Sequence, residues 1–217
     1  MALPGKVQSA TPGLLGFDAN TVIDLETAQK FFDDGYRFCV RYVSRGPEAS
    51  TDLSAQEATE ILNAGLALMP VQHVRAEGWT PSESLGEQDG TQAGSNASAV
   101  GFPPGVNVWC DVEGVSSSTD AQNVINYCNA WFDAVEAAGY LPGLYVGANA
   151  ILTDQQLFAE LSFQHYWRSQ SNVPNVAHRG YQLIQLWPTT TVNGIGIDMD
   201  VTQDDFKGGQ VQWLVLA

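Results

Sequence analysis

Positively charged side chains are scarce in this sequence. Nine Lys and Arg stand against 24 Asp and Glu among 217 residues, so the formal net charge at pH 7 is −15. Such a chain is repelled by the phosphates of nucleic acids and by anionic lipid headgroups. We therefore expect no nucleic-acid partner and no binding to membrane surfaces.

Long apolar runs are also missing. No stretch approaches the roughly 20 consecutive apolar residues of a transmembrane helix. The first residues, MALPGKVQSATPG, lack the apolar core of a signal peptide. The sequence thus predicts no membrane span and synthesis in the cytoplasm, and it leaves export or release by a non-classical route open.

Cofactor motifs are absent as well. Cys39, Cys110 and Cys128 are odd in number and lie far apart in the sequence, so buried free thiols are expected rather than a zinc or redox pair. No G-x-G-x-x-G or G-x-x-x-x-G-K-[ST] segment follows a predicted strand, which argues against a nucleotide site. We expect a monomer with no cofactor and no bound metal.

What the sequence does contain is a regular alternation of short β-rich runs with helical patterns, which is typical of βαβ units. Eight parallel strands with intervening helices predict a mixed α/β fold, a closed (β/α)8 barrel of the TIM type, with an open doubly wound sheet as the alternative. Residues 1–13 are predicted to form an N-terminal arm and residues 14–217 a single barrel domain. The eight runs are 14–18, 37–44, 67–74, 106–113, 141–147, 164–170, 181–187 and 194–201.

Helical patterns fill the early connections but not the late ones. Ser54 and Glu57 have the spacing of a capping box at the start of one helix, and the longest helix is predicted over 119–139. A short helix is predicted at 153–161, whereas the connections after the sixth and seventh runs are too short or too polar. The helical ring is therefore expected to be incomplete. The glycine-containing residues 80–101 fit either a loose helix or a loop over the barrel mouth.

Acidic residues stand at the carboxyl ends of three predicted strands, where barrel enzymes carry their chemistry. Because strand side chains alternate, Asp111 and Glu113 share a face, with Cα atoms about 6.6 Å apart. Their repulsion at that distance is roughly 2.5 kcal/mol, enough to keep one acid protonated near neutral pH while the other stays ionised. Cleavage of a glycosidic bond needs that division of roles. The five acids at these strand ends are Asp18, Asp111, Glu113, Asp198 and Asp200.

The same positions have simpler interpretations. A strand-end Asp can cap a helix or bind a hard cation such as Mg²⁺ or Ca²⁺, although carboxylates from strands one, four and eight together are hard to explain by capping alone. Arg41 lies in an otherwise apolar strand and is expected to pair with Asp18, either to hold that acid ionised or only to stabilise the barrel. Aromatic residues near these strand ends can stack on sugars but are singly more often core residues; they are Trp79, Tyr145, Trp167 and Trp187.

Seven short segments, taken in order, carry a resemblance to known proteins over nearly the whole chain. They are GFDAN at 16–20, FCVRYV at 38–43, WCDVEG at 109–114, GLYVG at 143–147, HYWRSQ at 165–170, LIQLW at 183–187 and GIDMDV at 196–201. With these segments the chain resembles the glycoside-hydrolase-like barrel called domain of unknown function 1906 and, more distantly, the family 25 lysozymes. The family 18 chitinases fit less well, because their pattern requires Asp where Trp109 stands.

The lysozyme resemblance implies roles for the acids. Glu113 would be the general acid that protonates the leaving oxygen, and Asp111 would orient or stabilise the reacting N-acetyl sugar. Asp18 and Asp198 would complete the acidic cluster, and the acetamido group of the substrate would serve as internal nucleophile. Asp200 departs from the pattern, because the lysozymes have an Asn-like partner at that place.

The expected function is therefore that of a glycosidase of the lysozyme or muramidase kind, which cleaves β-linked N-acetylated amino-sugar polymers such as peptidoglycan. A non-catalytic carbohydrate-binding or effector barrel that has lost turnover is the alternative. Repulsion between so acidic a protein and an anionic cell wall counts against the first reading unless salt screens it. Besides the catalytic Asp18, Asp111, Glu113 and Asp198, we assign substrate binding to Arg41, Tyr145, Trp167, Gln185 and Asp200.

Overall fold

The computed structural model describes residues 2–47 and 49–216. Met1, Glu48 and Ala217 lie outside these ranges, and with them the first residue of the predicted arm and the last of the predicted domain. The strands are β1 (Lys6–Ser9), β2 (Leu15–Ala19), β3 (Phe38–Val43), β4 (Ala67–Gln72), β5 (Asn107–Val112), β6 (Leu141–Val146), β7 (His165–Arg168), β8 (Leu183–Val192), β9 (Ile195–Thr202) and β10 (Gln212–Val215). The helices are α1 (Leu25–Asp33), α2 (Ala55–Asn63), α3 (Glu83–Val100), α4 (Ala121–Ala137) and α5 (Asp154–Ala159).

Eight of the strands close into a barrel. Pairing runs in sequence order from β2 through β9, and β9 pairs back onto β2. Contact between β4 and β5 is the narrowest of these pairings, with one register pair, Val71 opposite Trp109. The predicted closed barrel is confirmed and the open doubly wound sheet is wrong.

The direction of the last barrel strand contradicts the prediction of eight parallel strands. β9 is antiparallel to both of its neighbours, β8 and β2. The cause is a two-residue turn, because Asn193 and Gly194 both have positive φ, 51° and 86°, and join β8 directly to β9. An Asn-Gly pair between two apolar runs is a strong hairpin signal, and it was not used in the prediction of eight parallel strands. As a result β9 begins at the carboxyl end of the barrel, hereafter the mouth.

The helical ring is incomplete, as predicted. All five helices lie in the connections between β2 and β7, and in the described residues the later connections contain none.

No helix in residues 2–47 and 49–216 is both long enough and apolar enough to cross a membrane.

Residues 80–101 form a regular part of that ring. They contain α3, whose first turn is capped by the Ser82 side chain, which accepts a hydrogen bond from the backbone N–H of Leu85. Gly86, Gly90 and Gly94 lie one turn apart along α3 and face α4. A Cβ atom at Gly90 would come within 2.6 Å of the carbonyl oxygen of Trp131. The loop interpretation is therefore wrong, because the glycines allow two helices to pack closely rather than loosening one.

The N-terminal arm is also structured. Residues 6–9 form β1, which pairs antiparallel with β10, and β10 in turn contacts β4 at one register pair, Leu214 opposite Leu68. Neither strand was predicted. The two strands form a ribbon beside the barrel, outside its closed ring of eight.

Candidate functional site

The mouth of the barrel is lined by polar side chains from nearly every strand. Tyr42 of β3 and Gln185 of β8 both contact Asp18 of β2. Tyr145 of β6 contacts Gln185, and Trp167 of β7 contacts Asp200 of β9. Strand alternation explains this convergence, since each of these residues occupies an inward position of its strand. The structure thus brings together side chains that lie up to 182 residues apart in the chain, with Asp111 and Glu113 from β5 and its following residue beside them.

Gln185 joins several members of the site. Its amide Nε2 donates to Asp18 Oδ2 at 2.8 Å and to Asp198 Oδ2 at 3.3 Å. Its Oε1 accepts from the Tyr145 hydroxyl at 3.0 Å and from the backbone N–H of Gln170 at 3.2 Å. With both ends of the amide engaged, its orientation is determined. Gln185 therefore holds the carboxyl groups of β2 and β9 in a defined relative position.

Asp18 and Asp200 form a buried pair of acids. Trp167 Nε1 donates to Asp200 Oδ1 at 2.8 Å, whereas among the described residues Asp200 Oδ2 has no hydrogen-bond partner. The charged form of each carboxyl disfavours the charged form of the other. Burial raises the pKa of Asp18 to about 7, against the hydrogen bond from Gln185. Burial, and next the charge of Asp18, raise the pKa of Asp200 well above its ordinary value.

Asp111 and Glu113 differ in depth. Asp111 is buried, and among the described residues nothing donates to its Oδ1. Burial, followed by the charge of Glu113, raises its pKa well above the usual range. Glu113 is only half-buried, and burial followed by the charge of Asp198 raises its pKa. Gly147 makes room for it, since a Cβ atom there would lie 2.7 Å from Glu113 Oε2.

The predicted repulsion between these two acids is present. After burial, the charge of Glu113 is the next cause of the raised pKa of Asp111. Burial raises the pKa of Glu113 as well, so both carboxyl groups hold a proton more tightly than an exposed acid would.

A groove passes the site on the side of β3, β4 and β5. A cleft of about 250 Å³ opens beside Glu113, between Arg75, Glu77 and Asn149. A second cleft of about 570 Å³, with His73 and Asp89 in its wall, shares Arg75 with the first. A larger groove of about 940 Å³ lies between α3 and α4, away from the acids. Val74 and Arg75 line both clefts.

Arg41 does not pair with Asp18, so that prediction is wrong. Its Nε donates to Glu57 Oε1 at 2.6 Å, and its Nη2 donates to the carbonyl oxygen of Thr51 at 3.0 Å. Because Tyr42 takes the inward position next to it, Arg41 points outward, to α2. Its assignment to substrate binding is wrong for the same reason. The predicted capping box is also half wrong, since the Glu57 carboxyl binds Arg41 and the N–H of Ile23 instead of capping α2.

The predicted aromatic residues take three different places. Trp167 and Tyr145 are buried, with 1% and 8% exposed, and neither presents an open ring to a ligand; Trp167 donates to Asp200, and Tyr145 donates to Gln185. Trp79 donates its Nε1 hydrogen to the carbonyl oxygen of Glu113 at 2.8 Å. Trp187 is exposed at the rim. Tyr42 was not predicted as a site residue, although its spacing in FCVRYV puts it on the inward face; only its charged neighbour Arg41 was.

The acids do not form a recognisable metal centre. Among the described residues, no group of three or more His, Cys, Asp and Glu side chains is arranged to hold a metal ion. The three cysteines are all buried and free. Burial raises the pKa of each thiol, to about 12 for Cys128, so none is suited to act as a nucleophile.

Comparison with known proteins identifies the fold. Residues 29–207 match the family model described as Rv2525c-like, glycoside hydrolase-like domain. The Tat-secreted protein Rv2525c from Mycobacterium tuberculosis, solved in complex with L-tartrate, has a TM-score of 0.66 and 19% identity, covering 93% of this chain and 99% of that one. No curated protein matches the chain.

Two lysozyme-type structures are similar as well. The bacterial lysozyme from Streptomyces coelicolor has a TM-score of 0.60 and 13% identity, covering 89% of this chain and 94% of that one. The catalytic domain of endolysin ply40 from bacteriophage P40 of Listeria monocytogenes has a TM-score of 0.63 and 16% identity, covering 89% and 95%. At these identities the likeness is one of fold. It confirms the resemblance predicted from the sequence.

Proposed function

The chain belongs to the Rv2525c-like family of glycoside hydrolase-like domains, and from that premise we propose that it hydrolyses β-linked N-acetylated amino-sugar polymers, peptidoglycan in particular, with Glu113 as the general acid. The observation that carries the proposal is the position of Glu113. It is a half-buried acid of raised pKa that borders a groove, beside deeper acids without a basic partner. A general acid needs both a retained proton and contact with the substrate.

Among the five acids, only Glu113 and Asp198 are partly exposed, while Asp18, Asp111 and Asp200 are buried. Asp198 accepts hydrogen bonds from Thr189 and Gln185. In residues 2–47 and 49–216 no side chain donates to the Glu113 carboxyl, which leaves its oxygens free for a glycosidic oxygen. Glu113 is therefore the better placed of the two to give up a proton.

Asp111 suits the orientation of an N-acetyl group. Its Oδ1 is buried and lacks a donor within the described part of the chain, and a buried acceptor of this kind is costly unless a ligand satisfies it. An acetamido N–H would supply the missing hydrogen bond. That bond would stabilise the ionised form of Asp111 and lower its pKa.

Substrate binding would then favour the protonated form of Glu113 and the ionised form of Asp111. A sugar ring that covers Glu113 completes its desolvation and raises its pKa further, while the acetamido N–H lowers that of Asp111. Glu113 transfers its proton to the glycosidic oxygen as the C1–O bond breaks. The acetamido oxygen, positioned by the hydrogen bond that its N–H donates to Asp111, stabilises C1 until a water adds its hydroxyl there, and the proton of that water returns to Glu113.

The test is the substitution Glu113→Gln. Gln keeps the size of the side chain but cannot donate a proton at useful strength, so turnover should fall roughly 10²- to 10⁴-fold with little change in sugar affinity. The measurement is reducing-end release from N-acetylglucosamine oligomers and from soluble peptidoglycan fragments, together with thermal melting. The exposed Glu136 of α4 offers a matched control, since Glu136→Gln removes the same charge away from the mouth.

Salt is part of the assay, because a net charge of −15 opposes approach to an anionic wall polymer. Activity on peptidoglycan fragments should rise with ionic strength, whereas activity on uncharged oligomers should not. Equal release by wild type and Glu113→Gln would remove Glu113 from the mechanism. Binding of the oligomers without release by the wild type would favour a carbohydrate-binding barrel that has lost turnover.

A further inference from the structure

Trp187 differs from the other tryptophans of this chain. It leaves 78% of its surface exposed, whereas Trp109, Trp131, Trp167 and Trp213 are buried. A single exposed apolar side chain is common on protein surfaces and proves nothing by itself. Its place in the fold is what matters here, because it lies beside the acids at the mouth.

A bulge in the β8–β9 hairpin creates that place. Leu186 is paired with Met199, and the next pair is Thr190 with Ile197. Residues 187–189 of β8 therefore lie opposite the single residue Asp198 of β9. Bulges of this kind bend a strand and redirect its side chains, and they are frequent next to active sites.

The residues two positions before and two positions after Trp187 donate to the same carboxyl group. Gln185 donates to Asp198 Oδ2 at 3.3 Å, and the Thr189 hydroxyl donates to Asp198 Oδ1. Gln170 in turn donates to Thr189 Oγ1 at 3.2 Å, which ties the bulge to the segment after β7. Trp187 is thus held by two anchored neighbours at the edge of the site, and its exposed ring is not merely part of a loose loop.

We propose that Trp187 is a carbohydrate-stacking platform, on which the apolar face of one N-acetylated pyranose lies while the adjoining sugar of the same chain reaches the acids. This inference rests on the proposed function and adds a subsite to it. An indole provides a large flat apolar surface at low entropic cost, because its side chain has only two rotatable bonds. The ring faces of a β-linked amino sugar are the chemical complement of that surface.

The experiment is a titration with tetra-N-acetylchitotetraose, followed by tryptophan fluorescence and calorimetry. Each variant also carries Glu113→Gln, so that the probe stays intact. Trp187→Ala should bind the probe about 10-fold more weakly, while Trp187→Phe, which keeps a ring, should stay within about 3-fold. Binding should shift the emission of the protein with Trp187 to shorter wavelength, and the shift should vanish in Trp187→Ala.

Phe206 supplies the matched control. It is 86% exposed and follows β9, whose last residue lies at the opposite end of the barrel, so Phe206→Ala should leave affinity and emission shift unchanged. If Trp187→Ala binds the probe as tightly as the protein with Glu113→Gln alone, the platform is overturned and the proposed function stands. If neither the Glu113→Gln protein nor the wild type binds the probe, both are overturned. Concentration-dependent dimerisation that Trp187→Ala abolishes, without any effect on probe affinity, would make the ring a contact between copies and also overturn the platform.

Discussion

Two groups of buried acids in this protein have opposite environments. Three buried acids each pair with an Arg, namely Glu57 with Arg41, Asp89 with Arg75 and Asp205 with Arg179, and the buried Asp52 contacts His73. At the mouth, Asp18, Asp111 and Asp200 are equally buried, yet in the described residues none of the three forms an ion pair with Lys, Arg or His. In the first group the Arg partner offsets part of the cost of burying a charged carboxyl, whereas in the second burial raises the pKa with no cation to oppose it.

The difference shows which acids stabilise the fold and which cost stability. A buried carboxyl with a bidentate Arg is a structural element, and removal of either partner leaves an uncompensated charge. Buried carboxyls without a counter-ion oppose folding at neutral pH, so their presence together at one end of a barrel indicates a functional site. Three substitutions would sharpen or break this comparison.

The largest expected effect is that of Arg41→Met, on the paired group. It leaves the buried Glu57 carboxyl without its partner and should lower the free energy of unfolding by about 3–5 kcal/mol. Chemical denaturation at neutral pH measures this. Because Arg41 does not contact Asp18, the acidic limb of any activity profile should stay in place.

Two controls accompany Arg41→Met. Lys30→Met breaks the exposed pair with Glu26 and should cost far less than Arg41→Met, because solvent screens that pair. The double variant Arg41→Met with Glu57→Gln removes the stranded charge and should recover part of the loss. A cost for Arg41→Met no greater than that of Lys30→Met would contradict the comparison.

The second prediction concerns Asp200→Asn, in the unpaired group. The Asn oxygen can still accept from Trp167, and the substitution removes a buried carboxyl whose pKa is raised by burial and by the charge of Asp18. At about pH 8 the variant should be more stable than the wild type by about 1–3 kcal/mol, provided that the fold is unchanged.

The sign of the pH dependence follows from the raised pKa values. The pKa of Asp18 is 3.8 in its ordinary state and about 7 in the fold, so the folded state binds the proton more tightly. Stability from this group is complete below about pH 4 and is lost as the pH rises through about 7. Asp200→Asn should flatten this loss between about pH 5 and about pH 8. A wild type that becomes steadily more stable across this window would contradict the prediction.

Asp205→Asn gives the opposite sign and serves as control. Against the effect of burial, hydrogen bonds from the N–H groups of Gly209 and Lys207 and from Arg179 lower the pKa of Asp205. Its contribution is therefore present at neutral pH and lost on acidification. Asp205→Asn should destabilise the protein at about pH 8, where Asp200→Asn stabilises it.

The smallest expected effect is a shift in titration caused by Asp198→Asn. The charge of Asp198 helps to raise the pKa of Glu113, so its removal should lower that pKa. The basic limb of hydrolysis should then move to lower pH, because a general acid works only while it is protonated. A ¹³C NMR titration of the Glu113 carboxyl follows the same change without turnover. An unchanged or raised pKa would show that the two acids do not interact.

Several features could be read from the residues alone. The order of β-rich and helical runs predicted the barrel, and the eight predicted strands overlap β2 to β9 closely. The alternation rule placed Asp111 and Glu113 on one inward face. These inferences succeeded because they depend on local periodicity, which a single segment of sequence contains.

Other features depended on contacts between distant segments. Whether Arg41 meets Asp18 or Glu57 depends on which face of β3 points into the barrel. The sequence does not show this, because β3 is apolar on both faces. The helix at 83–100 depends on glycines that are unfavourable in an isolated helix but allow α4 to approach. The direction of β9 had a local signal, the hairpin pair Asn193-Gly194. The regular alternation of strands and helices nevertheless predicted a parallel strand.

The sequence by itself therefore determined the order of the elements and the strand ends at which acids occur, because hydrophobic periodicity and turn chemistry are local properties. The tertiary structure alone decided that the barrel closes, and which buried acids have a cation and which have none. That outcome depends on burial and on partners tens of residues away, and desolvation, which sets the protonation of a carboxyl, exists only after the chain has packed around it.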